Sequence, residues 1–184
     1  MGRSVEEYLA TLHEWWDVVL RTATCPRCHG AYRRHQTRTR AAWDDCEHAQ
    51  RILVLRIRCP ACGTTQTVLP DFLTRYRRYL TPVREGVITG ADPAPACDAR
   101  TARRWLTAFR TRITEGLQML TSALQQHLPI GRQETAFLTL GPANARALRH
   151  VREIWQRHGH APPASGLLGW ANQTLSAVAA TTWL

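Results

Sequence analysis

The sequence contains no lysine, so all 24 of its basic residues are arginines. Acidic residues are few, 14 in all, which leaves a formal net charge of +10. Codon bias in a GC-rich genome explains the missing lysine as readily as function does. In either case, guanidinium groups can make planar, bidentate contacts with phosphate or with a guanine edge. A charge excess of this size favours a polyanionic partner, for which nucleic acid is the usual one.

The chain also lacks long apolar segments. No stretch approaches the roughly 18 consecutive apolar residues of a membrane-spanning helix. The first residues are acidic and amphipathic, without the basic-then-apolar order of a signal peptide. Apolar residues still make up 44% of the chain, enough for a packed core. We therefore expect a cytoplasmic, nucleoid-associated protein that has no membrane partner and no small-molecule substrate.

Four of the six cysteines fall in two Cys-Pro-x-Cys knuckles. Each knuckle carries two thiols on a tight turn, and two such turns supply the four sulfur ligands of a closed tetrahedral zinc site. We predict one structural Zn²⁺, with no catalytic role, because no coordination position is left open. Gly30 and Gly63 follow the knuckles, where the chain must turn away from the metal. The predicted ligands are Cys25, Cys28, Cys59 and Cys62.

Other readings of these cysteines are less favoured. Thirty residues separate the knuckles, compared with about 15–20 in the common pattern, so the intervening hairpin should be long. Two unrelated pairs of reduced thiols would also fit the composition. A thioredoxin-like redox pair would need one CxxC beside a βαβ pattern. Cys46 and His48 lie in an acidic loop, and because four ligands are already present, we predict that Cys46 has no zinc role.

The pattern predicts an α+β protein, with a three-stranded zinc ribbon followed by a mainly helical, helix-turn-helix-like region. Strands are expected at residues 51–58 and 64–69, and the arginine-rich segment 32–40 should form the further strand or a loop. An amphipathic helix over 4–20 should precede the ribbon. The predicted division is an N-terminal helix at 1–21, a ribbon at 22–74, a DNA-binding region at 75–128 and a helical C-terminal region at 129–184.

Helices after the ribbon are predicted from their start signals. Thr81 should cap a helix that runs from Pro82 to Thr89. After a stretch of turn-forming residues, Asp98 should cap a long helix whose first turns carry arginines away from its apolar stripe. That is the arrangement of a recognition helix, although a core helix with a charged solvent face would look similar. Further helices are expected from Gly141-Pro142 to about His158 and within 165–184.

Candidate nucleic-acid contacts lie in three basic segments: the first strand, residues 75–79 after the ribbon, which we call the Arg/Tyr run, and the start of the long helix. Arginine interleaved with tyrosine can bind phosphate and stack on a sugar or base, whereas a solvated linker would have the same composition. The candidate residues are Arg33, Arg34, Arg38, Arg40, Arg75, Arg77, Arg78, Arg100, Thr101, Arg103 and Arg104.

Several of these motifs together resemble a known group of proteins. The first knuckle, the segment 55–73 and the run 75–79 are similar to a family of small bacterial zinc-ribbon proteins of unassigned function. They also resemble the zinc-ribbon and helix-turn-helix heads of insertion-sequence transposases, over about residues 22–110. The resemblance implies that the four knuckle cysteines bind zinc and that Arg100, Arg103 and Arg104 occupy the helix-turn-helix position. It implies DNA binding tied to a mobile element, without catalysis.

No enzyme is expected, because the acids after residue 75 sit on helical or loop segments that cannot mount a two-metal nuclease site. There is also no nucleophile elbow, P-loop or HExxH motif. We predict a protein that binds double-stranded DNA as an accessory or targeting subunit of a transposon, with a transposase or recombinase encoded nearby. A zinc-ribbon adaptor for a protein partner and an RNA-binding ribbon are the alternatives.

Overall fold

The computed structural model describes residues 5–91, 96–128, 131–134, 144–158 and 166–179. A three-stranded antiparallel sheet is followed by a mainly helical region, which confirms the predicted α+β class. The elements are α1 (Val5–Ala10), α2 (Leu12–Thr22), β1 (Arg33–Trp43), β2 (Ala49–Arg58), β3 (Thr65–Val68), α3 (Thr81–Thr89), α4 (Ala99–His127), α5 (Ala145–Arg157) and α6 (Gly166–Ala179).

The sheet is built around one long hairpin. β2 lies in the centre, with β1 and β3 antiparallel on either side. β1 extends to Trp43, three residues beyond the predicted strand end at residue 40, because its pairing with β2 continues to the acidic turn. The register shifts once, between Arg34 and Gln36. Such a bulge moves one residue out of the alternation between the two faces.

The N-terminal segment departs from the single helix predicted over 4–20. Its two helices meet at Thr11, whose Oγ1 donates a hydrogen bond of 2.9 Å to the carbonyl of Glu7. Back-bonding of this kind bends helices. The backbone amide of Trp15 still donates to the carbonyl of Thr11, so the chain direction is largely kept. The predicted first residue of this helix, Ser4, lies outside the described residues.

The capping of α3 and α4 was predicted with mixed success. Asp98 caps α4 as expected, and its carboxylate accepts from the backbone amide of Thr101 at 2.8 Å. The prediction for α3 was wrong in detail, because the N-cap is Leu80 and Thr81 is already helical. The Thr81 hydroxyl is instead buried against the Thr74 hydroxyl, at 3.1 Å. It is therefore engaged in a tertiary contact rather than a cap.

The first of the two C-terminal helices begins later than the sequence suggested. α5 starts at Ala145, because Asn144 caps it by accepting from the backbone amides of Arg146 and Ala147. The predicted start at Gly141-Pro142 lies outside the described residues. α6 corresponds to the helix expected within 165–184, and it packs against α3, α4 and α5. The Glu85 carboxylate of α3 accepts from the backbone amide of Leu168 near the start of α6.

Apolar side chains form two clusters, which we call the first and second core. The first core joins α1 and α2 to the sheet, the segment after it, α3 and the first turns of α4. The second joins the rest of α4 to α5 and α6. Within the described segments, no helix combines the length and apolarity needed to cross a membrane. The predicted division into four segments stays a prediction.

Candidate metal centre and nucleic-acid interface

The two knuckles share one backbone pattern. In each, the amide of the first cysteine donates to a carbonyl five residues later: Cys25 to Gly30 at 2.9 Å, and Cys59 to Thr64 at 2.8 Å. In each, the amide four residues after the first cysteine donates back to that cysteine's carbonyl. These closed turns hold both thiols of a knuckle on the same side, where both can bind the same metal ion.

The residue that reverses the chain differs between the knuckles. Gly63 has a φ of 72°, as expected for a glycine that turns the chain in the left-handed region. In the first knuckle, that position is occupied by His29, with a φ of 57°. The expectation that Gly30 turns the chain in this knuckle was therefore wrong. Histidine adopts this conformation more readily than most residues, and the knuckle therefore keeps its shape without glycine there.

The four sulfur atoms converge on one point. Sγ of Cys25 lies 3.5 Å from Sγ of Cys62, and Sγ of Cys28 lies 3.4 Å from Sγ of Cys59. All four atoms lie within 4.8 Å of one another. Tetrahedral zinc with Zn–S bonds of about 2.3 Å requires sulfur atoms about 3.8 Å apart. The cluster is therefore compatible with a structural metal site, and the four predicted ligands are brought together.

A neighbouring residue favours the metal-binding form of one of these thiols, Cys62. Hydrogen bonds with the side chain and backbone of Thr64 lower the pKa of Cys62 to about 6. A thiolate is the form that binds metal. Burial, together with the adjacent Cys25 thiol, raises the pKa of Tyr32 to about 12, and its hydroxyl donates to Oε1 of Gln66. Tyr32 thus covers the cluster as a neutral group.

Cys46 lies apart from the four-sulfur cluster. Its ligand atom groups instead with those of Asp44 and His48, in the exposed turn between β1 and β2. The Asp44 carboxylate accepts from the backbone amides of Cys46 and His48, at 3.0 and 2.8 Å. These bonds lower the pKa of Asp44, after the larger effect of the Gln50 side chain. Hydrogen bonds within the turn therefore account for the close approach of Asp44, Cys46 and His48.

One face of the sheet is rich in arginine. Residues directly opposite in an antiparallel pair share a face, as do alternate residues of one strand. The register therefore places the side chains of Arg38 and Arg40 on the same face as Arg56 and Arg58. We call this set, with Arg33 opposite Arg58, the basic sheet face. Arg56 and Arg58 were missed by the sequence analysis, although their spacing of two in a strand marks a shared face.

Hydrogen bonds organise this face. In the orientation that satisfies its neighbours, the Gln36 amide oxygen accepts from Arg56 at 2.8 Å and from Arg38 at 3.0 Å. Nη2 of Arg40 donates to the backbone carbonyls of Thr74 and Arg77, at 2.5 and 2.6 Å. Arg40 therefore joins the basic sheet face to the Arg/Tyr run that follows the ribbon.

The Arg/Tyr run also lies beside the start of α4. The backbone of Trp43, at the end of β1, pairs with the segment at Tyr79 through hydrogen bonds to Arg78 and Leu80. The Tyr79 ring packs edge-on against Trp105 of α4, with centroids 5.1 Å apart. Basic residues of the first turns of α4 are exposed nearby. They are Arg100, Arg103 and Arg104.

Two predicted contact residues have other roles. Arg34 pairs with Ile57, on the opposite face of the sheet, and its guanidinium carbon lies 4.7 Å from the centre of the Trp16 ring. A cation over an aromatic face in this way is a packing contact between β1 and α2. Thr101 is engaged in the α4 cap, where its hydroxyl donates to the Asp98 carboxylate at 2.8 Å.

The arginines of the sheet, the Arg/Tyr run and the first turns of α4 form no ion pair with any carboxylate in the described parts of the chain. By contrast, Arg157 of α5 pairs with Glu134. Unpaired guanidinium groups on adjoining segments produce a positive surface that lacks internal neutralisation.

Comparison with protein families finds a match over part of the chain. Neither the curated proteins nor the solved structures yield a similar chain. The matched segment begins at the first knuckle cysteine and ends at Trp105, so it contains all four sulfur ligands, the sheet and α3. Over residues 25–105, the chain matches a domain of unknown function, DUF6431.

Proposed function

We propose that this chain is a zinc-stabilised protein that binds double-stranded DNA. The observation that carries the proposal is the unpaired arginine surface formed by the basic sheet face, the Arg/Tyr run and the start of α4. Guanidinium groups on adjoining elements can contact successive phosphates of a duplex. Four convergent cysteines support zinc in particular, because four sulfur ligands in tetrahedral reach are typical of structural zinc sites. The metal would hold the two knuckles and thereby the sheet.

Within this proposal, the helices after the sheet form a helix-turn-helix-like unit, in which α4 reads the major groove through Arg100, Arg103 and Arg104. The connection from Gly90 to Asp98 is longer than the usual turn of about 3–4 residues. The resemblance to transposase heads supports an accessory or targeting role in a mobile element. The transposase or recombinase would then be supplied in trans.

Salt dependence of duplex binding tests this function. If about six arginines each neutralise one phosphate, the log–log slope of affinity against salt should be about −5. Between about 50 and 200 mM salt, affinity should then fall roughly a thousandfold. Fluorescence anisotropy of a labelled duplex measures this slope. A slope near zero, or no binding to any duplex, would contradict the proposal and favour the protein-adaptor alternative.

Matched arginine variants locate the binding surface. Arg38→Ala and Arg77→Ala should each reduce the magnitude of the salt slope by about 1 on every duplex, because each removes one phosphate contact. Arg149→Ala removes the same charge from the exposed side of α5 and should leave the slope unchanged. Equal effects of all three variants would show that net charge alone, and not this surface, governs binding.

A further inference from the structure

Tyr76 is unusually exposed for a tyrosine. It is 84% accessible, about twice the fraction of Trp43 at 41%, whereas Tyr8 and Tyr32 are almost completely buried and Tyr79 is half-buried. Because most of its ring is in contact with water, Tyr76 lacks the favourable free energy that the other tyrosines gain from burial. Nothing within the described parts of the chain covers this ring apart from its neighbour, Arg75.

The backbone at Tyr76 adopts an unfavourable conformation. Its φ is 61°, in the left-handed region that bulky side chains rarely adopt. Such a conformation persists when the surrounding structure over-determines it, and it tends to occur at functional positions. The chain on both sides is held: the amide of Arg77 donates to the carbonyl of Thr74, and Arg40 donates to the carbonyls of both residues.

The anchors of this turn are themselves buried. Thr74 is almost inaccessible, and its hydroxyl pairs with that of Thr81 at the start of α3. Arg40 belongs to β1, so two separate elements fix the turn. The backbone that carries Tyr76 is thereby anchored, which lowers the entropy lost in ordering this segment when a ligand binds.

The surroundings of the ring are positively charged. The guanidinium carbon of Arg75 lies 4.8 Å from the ring centre. Arg77 and Arg78 follow directly, and neither pairs with a carboxylate of the described segments. An aromatic face flanked by unpaired arginines is the combination that binds an unpaired base together with its backbone phosphates.

We propose that Tyr76 stacks on an unpaired nucleobase while Arg75 and Arg78 contact the adjoining phosphates. An unpaired base is favoured over insertion between paired steps, because the wedges that enter intact duplexes are typically Phe, Leu, Ile, Met or Pro. Tyrosine commonly stacks on bases that are already unstacked. This inference rests on the proposed DNA binding. The ligand that satisfies both is a duplex carrying an unpaired nucleotide, as at a bulge, gap or overhanging end.

The test compares one duplex, fully paired, with the same duplex carrying a single-nucleotide bulge. The wild-type protein should bind the bulged duplex about 5- to 140-fold more tightly, the range expected for stacking one base. Tyr76→Gly should abolish this preference and leave affinity for the paired duplex unchanged, since glycine accepts the left-handed backbone without strain. Tyr76→Phe should retain the preference. Leu9→Ala, at an exposed apolar position of α1, is the matched control and should behave as wild type.

The outcomes separate this inference from the proposed function. If neither duplex binds, the proposed DNA binding fails and Tyr76 has no base to meet. If both bind with a steep salt slope but wild type shows no preference, or Tyr76→Gly keeps it, the stacking role is overturned and duplex binding stands. Equal weakening on both duplexes by Tyr76→Gly would also overturn it, because that pattern indicates a change in the turn.

Discussion

Arg84 is the residue whose burial is hardest to reconcile with its charge. It is 1% exposed on α3, and its Nε and Nη1 have no hydrogen-bond partner in the described structure. Its guanidinium carbon lies 5.7 Å from the centre of the Trp105 ring. Burial, followed by the charge of Arg77, lowers the pKa of Arg84 to about 10. Burial therefore makes the charged form of Arg84 costly in the folded state, and a pKa of about 10 still leaves the residue charged at neutral pH.

Replacing Arg84 by methionine should raise stability by about 1 kcal/mol or more, because it removes a buried, uncompensated charge at similar side-chain length. Thermal unfolding of Arg84→Met and wild type measures the difference. Arg104→Met, an exposed change on α4, controls for loss of charge and should have little effect. A clear loss of stability in Arg84→Met would show instead that the guanidinium binds a partner in solution.

At the scale of elements, α4 depends on one charged cap. The Asp98 carboxylate accepts from the amide and the hydroxyl of Thr101. These two bonds lower the pKa of Asp98 in the folded state. A carboxyl with a depressed folded pKa contributes stability that is present above its unfolded pKa of about 4 and is lost as pH falls through the folded value.

Asp98→Ala should therefore lower the melting temperature near neutral pH, and the difference from wild type should shrink as pH falls below about 4. Asp98→Asn retains a capping side chain without charge and should be intermediate. Thermal melts recorded across the acidic range measure these differences. A wild-type advantage that persists unchanged at the lowest pH would contradict a role for the ionised carboxylate.

Elements of this protein are readable from sequence where the signal is local. The Asp98 cap, the strand at 51–58 and the two knuckles all follow from adjacent residues. The break at Thr11 could not be predicted in the same way, because the hydroxyl of a threonine in a helix can face solvent or donate back to a carbonyl of the preceding turn. The shift of the α3 cap from Thr81 to Leu80 depends on Thr74, a partner outside the helix. Tertiary contacts decide such details.

At the scale of the whole molecule, the sulfur cluster belongs to the first core. Cys25 and Cys59 are fully buried members of it, beside the central strand. The second core contains no cysteine among its described residues. Metal removal should consequently affect the two cores unequally.

Zinc content and hydrogen exchange test this expectation. The purified protein should carry one zinc per chain, and Cys59→Ser should lose it, whereas Cys46→Ser should retain it. Chelation should remove protection of β1 and β2 while α5 and the adjoining part of α4 stay protected, because their core has no metal ligand. Full zinc content in Cys59→Ser, or loss of zinc in Cys46→Ser, would refute the four-sulfur assignment.

Only part of the candidate site could be predicted from the sequence. Spacing of the cysteines was enough to predict that the four sulfur atoms converge, since each pair lies on one local turn. The basic sheet face required the strand register, and the separation of Arg34 from it follows from the bulge before Gln36. Arg84 is buried and Tyr76 is exposed because of the segments that pack around each of them, which the local sequence does not show. No periodicity distinguishes a buried arginine from an exposed one on a short helix.

The length of α4 has a geometric consequence for the two cores. Trp105 is a member of the first core and Phe109 of the second, one helical turn further on. Each residue of an α-helix rotates the chain by about 100° and advances it by about 1.5 Å. A one-residue deletion between these two positions would leave the buried residues of both cores unchanged. It would rotate one core relative to the other by about 100° around the axis of α4. The spacing of four residues thus sets the rotation about the helix axis between the half of the molecule that contains the cysteine cluster and its helical half.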